Sequence, residues 1–424
     1  MTISFLGDSL LDTGNLTNIL DVFGITPFPD PPYSAGKASN GLVLGEAVIE
    51  QLGIAPDTLV PGFRLPTTPP VFNPFQENIN YAVAGATTGV FGSRGNDLED
   101  LPIGLQTQVA LFKQDIASNP NSDVDGDQPD TIINAGSNDV FEALVDLERF
   151  ASVLLTPEKD DDNALSDDIA TQVVANLNQA VNDLEGVVDN IVIFGLSKLG
   201  DTPFSIQVDS LVDDLLPGDF SGQTRAFLTS TAAAVNARLI DTYNDSDYCD
   251  DFLFDGLANA ISGDTEKAAN ELTKFVGDLI DFGSSWLGET LFPAQFEDSS
   301  ERFIDDARDF ITGFIQDVDD FLTDACDGDD VENVLVIDGI DVFERGLDAW
   351  IESLPENLSP VIELSYRDYL TQLAGGNPNN LPVDLVVEQF AFTDGSHPTS
   401  DLNMFLAKQA APLISAEFLS FGQG

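Results

Sequence analysis

A single histidine, His397, occurs in this chain of 424 residues, three positions after Asp394 in the stretch FTDGSHPTS. A carboxylate and an imidazole on one short loop are suited to activating a hydroxyl nucleophile. A candidate hydroxyl, that of Ser9, occurs at the opposite end of the chain in FLGDSLLDTGN. Together these three residue types predict acyl transfer. The competing interpretation is an isolated surface histidine and a serine that only caps a helix.

Two further stretches offer hydrogen-bond donors for the oxyanion of an acyl-transfer reaction. Gly85, in INYAVAGATT, allows the backbone to approach a ligand closely, although glycines also serve ordinary turns. Asn138, in INAGSNDVF, carries a side-chain amide that donates hydrogen bonds, and it also fits a simple turn. Ser9 is expected on a turn between a strand and a helix N-terminus, where backbone N–H groups face developing negative charge. Asp8 and Asp139 are interpreted as structural, bonding to nearby backbone.

The elements that must position these residues follow from hydrophobic patterning. Four apolar runs, TISFL, TIINAG, NIVIFGL and NVLVIDG, predict strands that are buried on both faces. Helical patterns such as ATQVVANLNQAVNDLEGVV separate them, which predicts a parallel sheet covered on both sides. Residues 53–79 are rich in Pro, Thr and Asn and are expected to form irregular surface chain.

Four blocks in order, GDSL, NYAVAGATT, GSND and DGSHPT, resemble the SGNH/GDSL hydrolase family. The longer strings are most similar to its larger branch, the GDSL lipase/esterases and lecithinase/hemolysin-like enzymes. The resemblance runs from residue 3 to about 242 and resumes at about 331. It implies a flavodoxin-like three-layer α/β/α fold, with core segments 1–242 and 331–424. No G-x-S-x-G elbow occurs in the chain, which disfavours the α/β-hydrolase alternative.

The resemblance also implies residue roles. Ser9 would be the nucleophile, His397 the general base, and Asp394 the group that orients and stabilises the imidazole. The backbone N–H groups of Ser9 and Gly85, with the Asn138 amide, would form the oxyanion hole. Ester hydrolysis through an acyl-enzyme would follow, with no required cofactor. A phospholipase or acyltransferase using the same site is the alternative, and a non-catalytic cation-binding surface protein is the alternative of another class.

Residues 243–330 interrupt the alternation of strands and helices. They contain 24 acidic and 4 basic residues, together with helix-spaced phenylalanines. We expect an acidic helical insertion, which is either a cap that shapes the acyl pocket or a decoration packed on its own aromatic stripe. Cys249 and Cys326 lie near its two ends, where they form a disulfide or remain two buried thiols.

The charge of the chain limits its partners. With 16 basic and 73 acidic residues its formal net charge is −57, which disfavours nucleic acid and anionic membrane surfaces and favours neutral ester substrates. Such a charge indicates adaptation to salt or bound cations. The start of the sequence has no secretory signal pattern, and no apolar run is long enough to span a membrane. The similarity to secreted relatives favours an extracellular protein exported by another route, with the cytoplasm of a salt-adapted organism as the alternative.

One acidic stretch, SDVDGDQPD, is a candidate for structural calcium. Asp123, Asp125 and Asp127 have the alternate spacing that hard-cation loops use, but the distal glutamate of a full calcium-binding loop is missing. The sequence leaves the oligomeric state open.

Overall fold

The computed structural model of the chain describes residues 2–64, 72–94, 98–119, 128–144, 161–215, 220–244, 333–355, 358–374 and 387–421. All four predicted apolar runs form strands of one parallel sheet, and two short strands complete it. The spatial order is β2-β3-β1-β4-β5-β6. The strands are β1 (Ile3–Gly7), β2 (Leu59–Pro61), β3 (Asn78–Asn80), β4 (Asp130–Asn134), β5 (Ile191–Phe194) and β6 (Val334–Ile337).

Ten helices of the described segments accompany the sheet. They are α1 (Asn15–Asp21), α2 (Leu44–Gln51), α3 (Leu105–Ser118), α4 (Ser137–Glu142), α5 (Asp161–Leu184), α6 (Pro203–Leu215), α7 (Gln223–Asn244), α8 (Gly339–Ser353), α9 (Tyr366–Ala374) and α10 (Ser400–Phe421). None of these described helices is both long and apolar enough to cross a lipid bilayer.

Two hydrophobic cores lie on opposite faces of the sheet, because successive strand residues point to opposite sides. On one face, Ile133 of β4 and Ile193 of β5 pack with buried residues of α3, α5 and α7. On the other face, Ile132 and Val192 pack with buried residues of α2, α8 and α10. The predicted three-layer α/β/α fold is therefore confirmed.

The connections reverse direction at β1, which lies between β3 and β4. In parallel sheets, crevices outside the carboxyl ends of the strands at such a reversal are favoured binding positions. Gly7, the last residue of β1, is in register with Asn134, the last residue of β4. The turns that follow β1, β3 and β4 therefore emerge at one edge, and they carry three of the four sequence blocks.

Part of the chain expected to be irregular instead pairs with the sheet. Strand β2 lies within residues 53–79, and β3 begins there at Asn78. Each strand has only three residues, and in β3 a single apolar residue, Ile79, stands between two asparagines. Strands this short carry no hydrophobic period, so their conformation is decided by pairing, of β3 with β1 and of β2 with β3. The predicted insertion at 243–330 lies outside the described residues, apart from its first two positions at the end of α7.

Candidate active site

A cavity of about 750 Å³ opens at the carboxyl ends of the strands. Five predicted site residues line it, although they come from both ends of the chain and from two turns between: Ser9, Gly85, Asn138, Asp394 and His397. Strand order explains this convergence, because β1, β3 and β4 are neighbours and the loop before α10 returns to the same edge.

Ser9 lies on a tight turn after β1, and the regular helix expected at this point begins only at Asn15. The Asp8 carbonyl accepts hydrogen bonds from the N–H groups of Leu11 and Asp12, each at 3.1 Å, which closes a single helical turn. A Cβ on Gly7, where φ is +141°, would lie 1.9 Å from the Asn134 carbonyl oxygen. Glycine therefore allows β1 to end in close contact with β4 and to present Ser9 to the cavity.

Asp12 connects the Ser9 turn to the Gly85 turn, and sequence reasoning missed it. Its buried carboxylate accepts from the N–H groups of Gly14 at 2.7 Å and Asn15 at 2.6 Å, and it also accepts from Ala84 at 2.8 Å. Burial raises the pKa of Asp12, and the backbone N–H groups oppose that shift. The D-T-G-N string just ahead of α1 is a helix-cap signal in the sequence. The bond to Ala84 is visible only in three dimensions.

Several N–H donors at and near Ser9 lack an acceptor among the described residues. Within the described residues, no hydrogen-bond acceptor is placed for the backbone N–H of Ser9 or of Gly85, and Gly85 has a φ of +82°. Asn138, in the first turn of α4, donates one amide hydrogen to the Ala86 carbonyl at 2.9 Å. Its second amide hydrogen has no such partner, and the residue lines the cavity. Three N–H donors without an acceptor among the described residues thus belong to residues that line one cavity.

The Asp394–His397 pair is held on its own tight loop. His397 Nδ1 lies 2.8 Å from both carboxylate oxygens of Asp394. The backbone N–H groups of Ser396 and His397 each donate to Asp394 Oδ1 at 3.0 Å, and the Tyr33 hydroxyl donates to Oδ2 at 2.6 Å. Burial alone would raise the pKa of Asp394, but the charge and hydrogen bond of His397 lower it well below its usual range.

The pKa of His397 is raised. Burial opposes the charged imidazole, but the attraction of Asp394, its hydrogen bond and the charge of Asp8 together favour it. Phe28 contacts the ring edge-on, with 6.2 Å between ring centroids. No hydrogen bond among the described residues uses His397 Nε2 or the Ser9 hydroxyl, and both residues line the cavity.

Asp139 bonds to nearby backbone, which confirms its interpretation as a structural residue. It accepts from the backbone N–H of Thr88 at 3.0 Å and from the Thr88 hydroxyl at 2.7 Å. Burial raises the pKa of Asp139 to about 7. These bonds join the start of α4 to the turn that contains Gly85.

Two sets of predicted residues lie outside the described part of the chain. They are the calcium candidates Asp123, Asp125 and Asp127, and the cysteines Cys249 and Cys326. Both the calcium site and the disulfide stay predictions. Across the described segments, no group of three or more His, Cys, Asp or Glu side chains is arranged to hold a metal ion.

The sequence profile of GDSL-like lipases and acylhydrolases matches residues 3–410. The chain belongs to this family. Two GDSL esterase/lipases of Arabidopsis thaliana are among its relatives, one 32% identical over 126 residues and one 31% identical over 130 residues. These matches cover 26% and 27% of this chain and span 30% of each plant protein. The resemblance inferred from the four blocks is therefore confirmed at the level of the GDSL family.

Proposed function

We propose that the protein is a serine hydrolase that cleaves carboxylic esters through an acyl-enzyme on Ser9. One observation carries the proposal. Nδ1 of the sole histidine is hydrogen-bonded to Asp394. His397 and Ser9 line the same cavity as Gly85 and Asn138, whose N–H donors include two without an acceptor among the described residues. Nucleophile, base and oxyanion donors are the parts that acyl transfer needs.

The proposed reaction has two steps. The Ser9 oxygen attacks the ester carbonyl carbon while His397 Nε2 takes the hydroxyl proton. The carbonyl oxygen becomes an oxyanion that accepts hydrogen bonds from the N–H groups of Ser9 and Gly85 and from the Asn138 amide. The tetrahedral intermediate collapses, His397 returns the proton to the leaving alcohol, and an acyl-Ser9 ester remains. Water, deprotonated by His397, then hydrolyses this ester by the same route.

Apolar side chains make up much of the cavity wall. One side is formed by Leu16, Leu20 and Phe28, and another by Phe141, Phe204 and Val208. Phe141 and Phe204 pack edge to face, with ring centroids 5.5 Å apart. Burial of an apolar group against these walls contributes affinity. The cavity carboxylates and the overall charge of −57 disfavour anionic groups, so the proposed substrate is a neutral ester with an apolar acyl or alcohol part.

Covalent labelling tests the proposal. A fluorophosphonate probe should modify the wild-type protein at Ser9, and Ser9→Ala should abolish both labelling and ester hydrolysis. Ser197→Ala is a matched control, because Ser197 lines the same cavity. Labelling of the Ser9→Ala variant at an unchanged rate, or no labelling of folded wild-type protein, would contradict the proposal.

A phospholipid substrate is a second candidate, favoured by Arg367. This is the one lysine or arginine among the cavity-lining residues of the described chain, and its guanidinium lies 3.4 Å from the Tyr33 hydroxyl. Arginine is well suited to binding phosphate. If phospholipid is the substrate, Arg367→Gln should lower kcat/KM for phosphatidylcholine far more than for a neutral ester with the same acyl chain. An equal loss on both substrates would exclude a phosphate role.

A further inference from the structure

Asp8, which precedes the proposed nucleophile Ser9, is buried, and only one of its two carboxylate oxygens has a hydrogen-bond partner among the described residues. Asp8 is only 1% exposed. Its Oδ1 accepts a hydrogen bond from the Leu10 N–H at 3.1 Å, whereas its buried Oδ2 has no hydrogen-bond partner among the described residues. A buried carboxylate oxygen without a partner is costly. Capping the turn needs only one oxygen, so the cap does not explain an acid at this position.

The surroundings of Asp8 indicate where its charge acts. Asp8 lines the same cavity as Ser9 and His397. Burial raises the pKa of Asp8 to about 6, and the charge of His397 opposes this increase. In turn, the charge of Asp8 is among the causes that raise the pKa of His397. The two groups thus line one cavity with no hydrogen bond between them, and both shifts have the sign expected for attraction between a carboxylate and an imidazolium.

Other charged and titratable groups around His397 come from three separate elements. Asp394, on the same loop, bonds to Nδ1 and stabilises the imidazolium. Arg367, on α9, opposes the imidazolium charge. Tyr33, in the loop after α1, faces the pair through its bond to Asp394, and burial raises its pKa further above the ordinary tyrosine value. Asp8 is thus the second anion acting on the ring, and it offsets Arg367.

We propose that the carboxylate of Asp8, whose Oδ2 has no hydrogen-bond partner among the described residues, acts across the cavity to stabilise the protonated form of His397, as a second anion beside Asp394. This inference rests on the proposed function for its catalytic meaning, because the imidazolium forms when Ser9 loses its proton. Asp8 acts through His397 and touches no reacting atom, so it is a positioning residue. The free-energy cost of burying the Asp8 carboxylate is reduced each time the imidazole of His397 becomes positively charged.

The sign of the effect is definite. Removing a negative charge near His397 destabilises the imidazolium, so the pKa of His397 falls. The effect requires Asp8 to be anionic while the imidazole titrates, which holds when the pKa of Asp8, raised by burial to about 6, lies below the raised pKa of His397. The acid limb of kcat/KM, which reports the base in the free enzyme, should therefore move to lower pH when Asp8 is neutral.

A chain with one histidine allows a direct measurement. Protein containing ¹³C-labelled histidine should give a single imidazole signal, whose titration is that of His397. Asp8→Asn keeps an oxygen that can accept from Leu10 and removes the charge. Its His397 pKa should fall by about half a unit or more relative to wild type. Asp8→Ser should also lower the pKa of His397, and Asp394→Asn should lower it further.

Glu142→Gln is the matched control. Glu142 lines the same cavity, but its carboxylate accepts from the Arg94 N–H at 2.8 Å, and its charge is not among the causes that shift His397. An unchanged His397 pKa in folded Asp8→Asn, or an equal fall in Glu142→Gln, would overturn the proposal. If neither Asp8 variant folds, the pH titration of the His397 signal in the wild-type protein tests the proposal instead. A second, smaller inflection on the acid side of the imidazole titration supports the interaction, and a single-step curve contradicts it.

Activity measurements separate this inference from the proposed function. A parallel shift of the His397 signal and of the acid limb of kcat/KM in Asp8→Asn supports both. A shifted signal with an unmoved acid limb supports the electrostatic interaction and contradicts the role of His397 as general base.

Discussion

The two sides of the cavity differ in how their polar groups are satisfied. On one side, Asp394 accepts hydrogen bonds from Tyr33, from two backbone N–H groups and from the His397 ring. On the other side, the N–H groups of Ser9 and Gly85 and one amide hydrogen of Asn138 have no acceptor within the described chain.

Under the proposed function, this difference separates groups that hold a geometry from groups that receive a substrate. A carboxylate with its bonds complete is rigid, and it keeps the imidazole in one orientation. Donors without a protein acceptor bind water until an oxyanion replaces that water. Preorganised donors contribute most to the rate when they stabilise such an oxyanion. The comparison predicts that changes on the satisfied side disturb orientation and stability, whereas changes on the open side affect the transition state alone.

The largest effect is expected from removing the charge that orients the imidazole. Asp394→Asn should lower kcat by about 10⁴-fold, because the amide stabilises the wrong tautomer and no longer supports the imidazolium. Initial rates on a neutral ester measure this. Asp209→Asn is the control, since Asp209 is a buried carboxylate that accepts from the Gly222 and Thr224 N–H groups away from the cavity. An equal loss of kcat in the control would show that the effect of Asp394→Asn comes from disturbed folding.

Removing a donor on the open side should have the next largest effect. Asn138→Ala should lower kcat by about 10²–10³-fold with little change in KM, because the lost hydrogen bond forms mainly in the transition state. Steady-state kinetics test this split. Asn178→Ala, on α5, removes an amide that accepts from the Tyr243 hydroxyl, and it should leave kcat unchanged. A rise in KM alone for Asn138→Ala would place the amide in ground-state binding instead.

The pH dependence of the wild type probes both sides together. Only the neutral imidazole accepts the Ser9 proton, and the pKa of His397 is raised above the ordinary value of 6.5. Therefore kcat/KM should fall about tenfold per pH unit on the acid side, with a midpoint above 6.5. A midpoint below this value would contradict the balance of charges around His397.

The smallest effect on activity is expected from one bond on the satisfied side. Tyr33→Phe removes the hydroxyl bond to Asp394, which is worth about 1.5–3 kcal/mol as a bond to a charged group, and kcat should fall by about tenfold or less. Tyr81→Phe is a matched control, because Tyr81 donates to the buried Asp115 carboxylate at 2.7 Å outside the cavity. Both variants should unfold more easily, as measured by urea denaturation. A loss of kcat in Tyr81→Phe alone would contradict the comparison.

Strands β1, β4 and β5 were predictable from the sequence because a strand buried on both faces must be a continuous apolar run. β6 is a similar apolar run, but at the edge of the sheet three of its four residues are only half-buried. Strands β2 and β3 were not predictable, since a strand of three residues is too short to show a hydrophobic period. Ser9 lies on a turn after β1, as expected, but the helix expected directly after it begins only at Asn15. Between them, the Asp12 carboxylate accepts hydrogen bonds from the backbone N–H groups of Gly14 and Asn15.

Residue types and their local spacing determined the parallel sheet, the four blocks and the pairing of Asp394 with His397, because each of these depends on a few neighbouring positions. Contacts between distant parts of the chain were decided only by the tertiary structure. Tyr33 reaches Asp394 across 361 positions, Asp12 holds the residue before Gly85, and Asp8 keeps a buried oxygen without a hydrogen-bond partner among the described residues. Hydrogen bonding and burial of this kind depend on which elements pack together, and a linear pattern does not specify that.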